Sequence, residues 1–109
     1  MLKILGSDIC KDSLASKIIL REKGVEFEYI DIVASTNDLK NYLKFRAMLP
    51  DFAPVREDKT MRLGIPYFMM GTKGTFDLNE ALVWCGQEPV EASYLENLVA
   101  QMVLLLNNK

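Results

Sequence analysis

The chain has 109 residues, of which 50% are hydrophobic and 26% charged, and its formal net charge is -2. This length suits a single domain spanning residues 1–109, and the lack of a basic excess argues against a nucleic-acid partner. The sequence contains no histidine, which excludes a histidine-based catalytic triad and any histidine-bearing metal site. Two cysteines are too few for a disulfide framework or an all-cysteine metal site, so we expect no metal.

The apolar segments of the chain are short. The longest runs from Leu98 to Leu106, is interrupted by Gln101, and falls short of the ~18 apolar residues that a membrane span needs. The apolar residues at the N-terminus are interrupted by Lys3 and end at Gly6, too early for the core of a signal peptide. We therefore expect a cytoplasmic protein with no membrane partner.

The first third of the chain predicts a strand, a helix and a second strand. An apolar run that ends at Gly6 predicts the first strand, and helical spacing of apolar residues predicts a helix over residues 11–23. Alternating apolar and charged residues predict the second strand over residues 25–33. A unit of this kind pairs its strands in parallel with a right-handed connection.

A second helix is expected after Ser35, which begins a run of four capping residues. Pro50 and Pro54 break the helical pattern, so residues 50–63 are expected to form a loop with one short helical turn. Patterns of a capping residue followed by glutamate three positions later begin at Asp77 and Ser93 and predict two further helices.

The remaining elements complete an α/β pattern. In chain order they are a strand over 67–70, a turn over 71–74, a strand over 75–76, and helices over 78–85 and 94–107. The whole order predicts one α/β domain built on a four-stranded sheet.

Three loops that are distant in sequence are expected at one end of this sheet. Cys10 follows the first strand, Ile65 and Pro66 precede the third, and Asp77 follows the fourth. If the third strand is antiparallel to the first, and the fourth to the third, all of these residues lie at the same end. The sequence therefore predicts a functional site there.

Cys10 is the candidate nucleophile because it immediately precedes a helix. Unpaired N–H groups and the partial positive charge at a helix start stabilise a thiolate, and Lys11 adds a cation, whereas Asp8 and Asp12 oppose the effect. The hydroxyl of Ser13 belongs to the same helix face and can donate to the sulfur. Position alone leaves open a second interpretation, in which Cys10 is an ordinary buried small hydrophobic residue.

Pro66 opens a predicted core strand, a position where proline is tolerated. If the Ile65–Pro66 bond is cis, the Ile65 backbone can offer strand-like hydrogen bonds to an extended thiol substrate. A trans proline that merely ends the preceding loop is the alternative.

The motifs around these residues resemble those of the glutaredoxins, in particular small bacterial glutaredoxin-related proteins. They are Cys10-Lys11-Asp12-Ser13, Gly64-Ile65-Pro66-Tyr67 and Gly74-Thr75-Phe76-Asp77, with a Gly6-Ser7 start, a Leu39-Lys40 helix that ends in Arg46, and Pro50-Asp51-Phe52. The resemblance covers about residues 1–85. It implies a thioredoxin-like fold, a cis bond before Pro66, and Cys10 as the nucleophile. Together with the element pattern and the proline before the third strand, it predicts a mixed four-stranded sheet in the order 2-1-3-4 with helices on both faces.

Two departures from the glutaredoxin pattern bear on the reaction. Ser13 stands where the usual Cys-Pro-x-Cys motif has its second cysteine, so the resemblance implies a monothiol mechanism. Asp77 and Glu80 place negative charge where the family binds the carboxylates of glutathione. These charges disfavour glutathione itself. We expect no tightly bound cofactor, and either glutathione or another low-molecular-weight thiol as co-substrate.

The predicted function is that of a monothiol thiol–disulfide oxidoreductase, acting on a small thiol or a protein disulfide by thiolate exchange at Cys10. Ser13 would hydrogen-bond the sulfur. The predicted substrate-binding residues are Lys11, Ile65, Pro66 and Asp77. The sequence leaves the oligomeric state open.

Alternatives to this function remain. The first is a redox-inactive binding module that keeps the thioredoxin fold and its groove. The second is an iron–sulfur carrier, although monothiol relatives with that role carry Cys-Gly-Phe-Ser, which Lys11-Asp12 does not match. Cys85 is expected to be packed in the core rather than to act as a resolving partner.

Overall fold

Four short strands form one mixed sheet in the order β2-β1-β3-β4, in a computed structural model that describes residues 1–108. The strands are β1 (Leu2–Gly6), β2 (Phe27–Asp31), β3 (Tyr67–Met70) and β4 (Lys73–Thr75). β1 pairs in parallel with β2 and antiparallel with β3, and β4 is antiparallel to β3. The predicted mixed sheet and its strand order are confirmed.

Five α-helices accompany the sheet. They are α1 (Lys11–Glu22), α2 (Thr36–Met48), α3 (Ala53–Glu57), α4 (Leu78–Trp84) and α5 (Ala92–Asn107), with a 3₁₀ turn at Pro50–Phe52 before α3. The expected cap of α2 forms, because the Ser35 hydroxyl accepts a hydrogen bond from the Asp38 N–H at 3.0 Å. No helix among the described residues is long and apolar enough to cross a lipid bilayer.

The core has two layers, one on each face of the sheet, because successive strand residues point to opposite faces. One layer contains Leu2, Ile4, Ile19, Leu20, Phe68, Leu78, Ala81 and Leu82. The other contains Leu5, Ile32, Tyr42, Phe52, Val55 and Tyr67. Helices α1 and α4 thus cover one face, and α2, the 3₁₀ turn and α3 cover the other.

Helix α5 runs antiparallel to α1. At one end the Tyr94 hydroxyl donates to the Glu22 carboxylate, with Oε2 at 2.7 Å. At the other end Val103 and Leu106 border the same cavity as Cys10. The C-terminal end of α5 therefore lies beside the start of α1.

Several element boundaries differ from the sequence prediction. β2 covers Phe27–Asp31 rather than residues 25–33, and α1 and α4 each end one residue earlier than expected. β4 begins at Lys73 rather than at residue 75, because Gly71 adopts a φ of +60° and closes the turn early enough for Lys73 to pair with Met70. Helix α5 begins at Ala92, so the predicted cap at Ser93 is wrong. The segment that precedes α5 determines this earlier start.

The side chain of Asn79 fixes the entry to α5. Its amide nitrogen donates to the Val90 carbonyl at 3.1 Å, and its oxygen accepts from the Val90 N–H at 2.9 Å. Because the N–H and the carbonyl of Val90 are both hydrogen-bonded to Asn79, Glu91 occupies the N-cap position in an extended conformation. The helix consequently starts two residues earlier than expected.

Candidate functional site

Cys10 is the N-cap residue of α1 and has an extended backbone, with φ of -106° and ψ of 122°. Its N–H donates to the Ser7 carbonyl at 3.0 Å, and its carbonyl accepts from the Leu14 N–H at 3.1 Å. The side chain is half-buried and makes no capping hydrogen bond to the helix. The backbone of Cys10 is therefore held by two hydrogen bonds, whereas its thiol makes no capping bond.

The largest cavity beside Cys10, with a volume of about 700 Å³, is here termed the Cys10 groove. It lies between the start of α1, one side of α2, the loop over residues 61–65 and the end of α5. Its apolar lining includes Ile9, Ile32, Val33, Leu39, Leu43, Met61, Leu63, Ile65, Val103 and Leu106. Lys11, Arg46 and Arg62 also line it, and no Asp or Glu side chain within residues 1–108 does.

Two smaller cavities continue the surface beyond Ile65. One, of about 330 Å³, is bordered by Cys10, Ile65 and Phe76. The other, of about 250 Å³, is bordered by Ile65, Pro66 and Asp77. Ile65 thus borders all three cavities, and the predicted convergence of three loops is observed, with Asp77 lining a different cavity from Cys10.

The Ile65–Pro66 peptide bond is cis, as predicted. No hydrogen bond within residues 1–108 uses the Ile65 backbone N–H or carbonyl. Both polar groups are consequently available to an extended chain lying beside Cys10.

The loop before Ile65 is anchored to the second core layer. The Tyr42 hydroxyl donates to the Leu63 carbonyl. Gly64 has a φ of +80°, and a Cβ built on it would lie 2.9 Å from the Phe52 ring. Only glycine allows this close approach. Contact with the core therefore fixes the position of the following residue, Ile65, in the groove beside Cys10.

Ser13 is fully buried, and its Oγ has no hydrogen-bond partner within the described residues. The hydroxyl lies against Gly6, since a Cβ built there would be 2.8 Å from Ser13 Oγ. The Tyr29 hydroxyl is nearby and also lacks a well-aligned hydrogen bond. Burial, chiefly, and then the Asp8 carboxylate raise the pKa of Tyr29, while the Ser13 hydroxyl lowers it. The expected hydrogen bond from Ser13 to the Cys10 sulfur is not formed in this structure.

The acidic residues that flank Cys10 are both paired with lysines. Asp8 contacts Lys17 at 2.6 Å, and Asp12 contacts Lys11 at 3.0 Å. The positive charge of Lys11 is thus partly offset by its own neighbour. Arg62 lies 4.0 Å from Asp58, whereas Arg46 forms no ion pair among the described residues.

Asp77 caps α4, and its carboxylate accepts from the Asn79 N–H at 2.9 Å. In a complete capping box the Glu80 carboxylate would accept a hydrogen bond from the Asp77 N–H. That bond does not form, because Glu80 accepts from the Thr75 hydroxyl at 2.8 Å instead. That hydroxyl in turn accepts from the Asp77 N–H at 3.0 Å. Asp77, an acidic helix cap, therefore borders the cavity of about 250 Å³ that Ile65 and Pro66 also line.

Cys85 lies at the C-terminal end of α4 and packs against the first core layer. Burial raises the pKa of its thiol. Both cysteines are free thiols, and no group of three or more Cys, Asp or Glu side chains within residues 1–108 is close enough to share a metal ion.

Sequence reasoning missed the Cys10 groove and its arginines. The available signal was the spacing of Leu39, Leu43 and Arg46, which places three side chains on one stripe of α2. The contributions of Met61 and Val103 depend on tertiary packing.

Comparisons of the chain with protein-family models, with curated proteins and with solved structures find no match.

Proposed function

We propose that the protein is a monothiol, glutaredoxin-like thiol–disulfide oxidoreductase with a thioredoxin-like fold, acting through Cys10. The observation that carries the proposal is the position of the Cys10 thiol. It is half-buried and borders two cavities together with Ile65, whose backbone N–H and carbonyl have no hydrogen-bond partner within residues 1–108. A thiol and a strand-like docking edge side by side suit a linear disulfide substrate.

The proposed reaction consists of two thiolate exchanges. The Cys10 thiolate attacks one sulfur of a disulfide R–S–S–R′, so that the bond between Cys10 and R–S forms while the original S–S bond breaks and R′–S⁻ leaves. A second thiolate, R″–S⁻, attacks the R sulfur, forms R–S–S–R″ and releases Cys10 as the thiolate. Electrons balance over the cycle because one disulfide is consumed and one is produced.

The other residues have supporting roles. Ile65 aligns the substrate backbone, and Pro66 and Asp77 border the cavity beyond it. The Ser13 hydroxyl has no hydrogen-bond partner within residues 1–108, which supports its role as donor to the sulfur during the reaction. Lys11 lines both cavities that contain Cys10 and is assigned to substrate binding.

No tightly bound cofactor is part of this proposal. The second thiol is glutathione or another low-molecular-weight thiol, and the disulfide is that of a small molecule or a protein.

A redox-inactive binding module is the second candidate. Two observations favour it: the flanking cation of Lys11 is paired with Asp12, and the Cys10 thiol makes no hydrogen bond to the first N–H groups of α1. Such a protein would keep the groove but would not turn over a disulfide.

The test measures disulfide exchange with bis(2-hydroxyethyl) disulfide, by intact mass and by turnover with added thiol. We expect one adduct on the native protein and steady turnover. Cys10→Ser should abolish both, whereas the matched variant Cys85→Ser should retain both. A native protein that forms no adduct, or forms it on Cys85, would rule out the oxidoreductase in favour of the binding module.

A further inference from the structure

Helix α2 is covered by its own chain along only part of its surface. Of its 13 residues, all within the described part of the chain, only Tyr42 is buried. The most exposed of its large apolar residues are Met48 at 78%, Leu43 at 51%, Leu39 at 38% and Phe45 at 37%. The stability of a helix in a folded protein comes mostly from packing of its apolar side chains against other elements. Apolar surface therefore remains on α2 for a contact that residues 1–108 do not supply.

The exposed apolar residues of α2 lie on two sides of the helix. Leu39 and Leu43 face the Cys10 groove. On the other side, Phe45 and Met48 border a separate cavity of about 560 Å³, which Ile30 of β2 also lines and which is here termed the α2–β2 cavity. β2 is an outer strand of the sheet, and no strand within residues 1–108 pairs with its free edge. The α2–β2 cavity is thus accessible to a partner that approaches the edge of the sheet.

Two charged residues of opposite sign also border the α2–β2 cavity. Asp38 accepts a hydrogen bond from the Ser35 hydroxyl at 2.9 Å and forms no ion pair within residues 1–108. Lys44 forms neither an ion pair nor a side-chain hydrogen bond within the same residues. An occupant of the cavity can therefore pair with both charges without displacing an existing ion pair.

The spacing of these charges favours a second copy of the chain as the occupant. Asp38 and Lys44 are each three positions from Asn41, which also borders the cavity. When two α2 helices pack antiparallel across a two-fold axis at Asn41, Asp38 of each copy lies opposite Lys44 of the other. Two equivalent ion pairs then form from one surface patch. A small ligand with a single charge would leave the other charge of the cavity unpaired.

We propose that the protein forms a homodimer in which the α2 helices of two copies pack antiparallel across a two-fold axis near Asn41. Two ion pairs between Asp38 and Lys44 fix the register. Helical side chains lean towards the helix N-terminus, so Phe45 of each copy extends over the α2–β2 cavity of the other copy, beside Asn41. The Cys10 groove lies on the other side of α2 and stays open in this dimer. The dimer is therefore independent of the proposed function.

Sedimentation equilibrium of the full chain tests the dimer, with a reducing agent present to exclude intermolecular disulfides. We expect the weight-average mass to rise with concentration from 12.4 kDa towards twice that value. Higher salt should shift the equilibrium towards the monomer, because ion pairs at a protein surface are screened. Protein that remains monomeric up to millimolar concentration would overturn the proposal.

Charge substitutions test the antiparallel register. Asp38→Lys and Lys44→Asp each place two pairs of like charges opposite one another, so each should weaken dimerisation at least about tenfold. The double variant, with both substitutions, restores opposite charges at both places and should recover most of the lost affinity. Lys40→Asp is the matched control, because it makes the same charge change on an exposed residue of α2 that does not line the cavity, and it should leave dimerisation unchanged. Weak dimerisation of the double variant would refute the pairing of Asp38 with Lys44, and with it the antiparallel dimer.

Apolar substitutions test which side of α2 is covered. Phe45→Glu should give a monomer that remains folded by circular dichroism, whereas Leu43→Glu, on the side of the Cys10 groove, should remain a dimer. If Phe45→Glu fails to fold, Met48→Glu should still weaken dimerisation, because Met48 borders the same cavity and is 78% exposed in one copy. A dimer lost in Leu43→Glu but kept in Phe45→Glu would place the interface at the Cys10 groove. Monomeric protein that binds decanoate, with binding abolished by Phe45→Glu, would assign the cavity to a small amphiphile. Either result overturns the proposal.

Discussion

The hydroxyl of Tyr42 donates a hydrogen bond to the carbonyl of Leu63, and this bond joins α2 to the loop that leads into Ile65. Tyr42 is buried in the second core layer, so the groove wall and the loop before Ile65 are attached to one core residue. A change at Tyr42 should therefore affect both stability and loop order.

Tyr42→Phe keeps the ring and removes the donor. We expect the free energy of unfolding to fall by about 1 kcal/mol, because the Leu63 carbonyl loses its protein partner. Limited trypsin digestion should cleave after Arg62 faster than in the native protein. Tyr94→Phe is the control, since that hydroxyl bonds to Glu22 on an exposed surface. Equal effects of the two variants would contradict the anchoring role.

Stability should also decline at alkaline pH through Tyr42. Burial raises the pKa of Tyr42 to about 12, although the Arg46 charge lowers it, whereas an unfolded tyrosine titrates near ~10. Between these values the folded state binds the proton more tightly, so this stabilisation is complete below pH ~10 and is lost as the pH rises towards 12. Urea midpoints across this range should fall less in Tyr42→Phe than in the native protein. Burial also raises the pKa of Tyr29 and Tyr67, so part of the decline remains in the variant. Parallel curves would refute the contribution of Tyr42.

Gly64 tests the close approach between the loop and the core. Gly64→Ala places a Cβ 2.9 Å from the Phe52 ring at a φ of +80°. Gly24→Ala is the matched control, with a φ of +70° and nothing within 4 Å of the new Cβ. The control should cost about 1 kcal/mol of unfolding free energy, and Gly64→Ala a further ~1–3 kcal/mol from overpacking. Chemical denaturation measures both, and equal losses would show that the core can yield to the added methyl group.

The two cysteines should differ in reactivity. Cys10 borders two cavities and makes no capping bond, while Cys85 packs against the core and burial raises its pKa. A raised pKa leaves less thiolate at neutral pH, so brief exposure to limiting iodoacetamide should alkylate Cys10 first. Peptide mapping reports the order. Equal labelling, or labelling of Cys85 first, would remove Cys10 as the nucleophile.

The sheet was predictable because its signals are local. The apolar run that ends at Gly6, the alternating strand around Phe27 and the proline before Tyr67 each identify a strand or its boundary. The βαβ rule supplies the parallel pairing of β1 with β2, and the position of β3 beside β1 was expected partly from the resemblance to glutaredoxins. The convergence of Cys10 and Ile65 follows once β3 is antiparallel to β1.

The groove, the N-cap of α5 and the hydrogen-bond partner of Glu80 were not predictable, for a different reason. Ser93 has the local pattern of a cap, but the Asn79 side chain, 11 positions before Val90, determines where α5 begins. Glu80 has the pattern of a capping-box partner for Asp77, but its carboxylate accepts a hydrogen bond from the Thr75 hydroxyl instead. These choices depend on contacts between elements, which sequence periodicity does not encode.

Ser13 provides the sharpest test of a monothiol mechanism. A dithiol enzyme expels its bound thiol by closing a disulfide between residues three apart, and a serine hydroxyl cannot do this. Cys85 packs against the first core layer rather than lining the cavities beside Cys10, so we expect it not to substitute. Oxidation of the native protein with a small disulfide should therefore stop at one adduct on Cys10 that persists until an external thiol is added.

Ser13→Cys should restore internal closure. Side chains three positions apart at a helix start lie within ~6 Å of each other, which is within reach of a disulfide. The adduct should then be released and the protein become lighter only by the hydrogens lost on forming a disulfide, as read by intact mass spectrometry under non-reducing conditions. The same experiment in a Cys85→Ser background assigns the bond, and Ser13→Ala, which removes a buried hydroxyl without a partner, should keep the single adduct without loss of stability. A native protein that oxidises internally with no adduct would mean that Cys10 pairs with Cys85, and the monothiol mechanism would have to be abandoned.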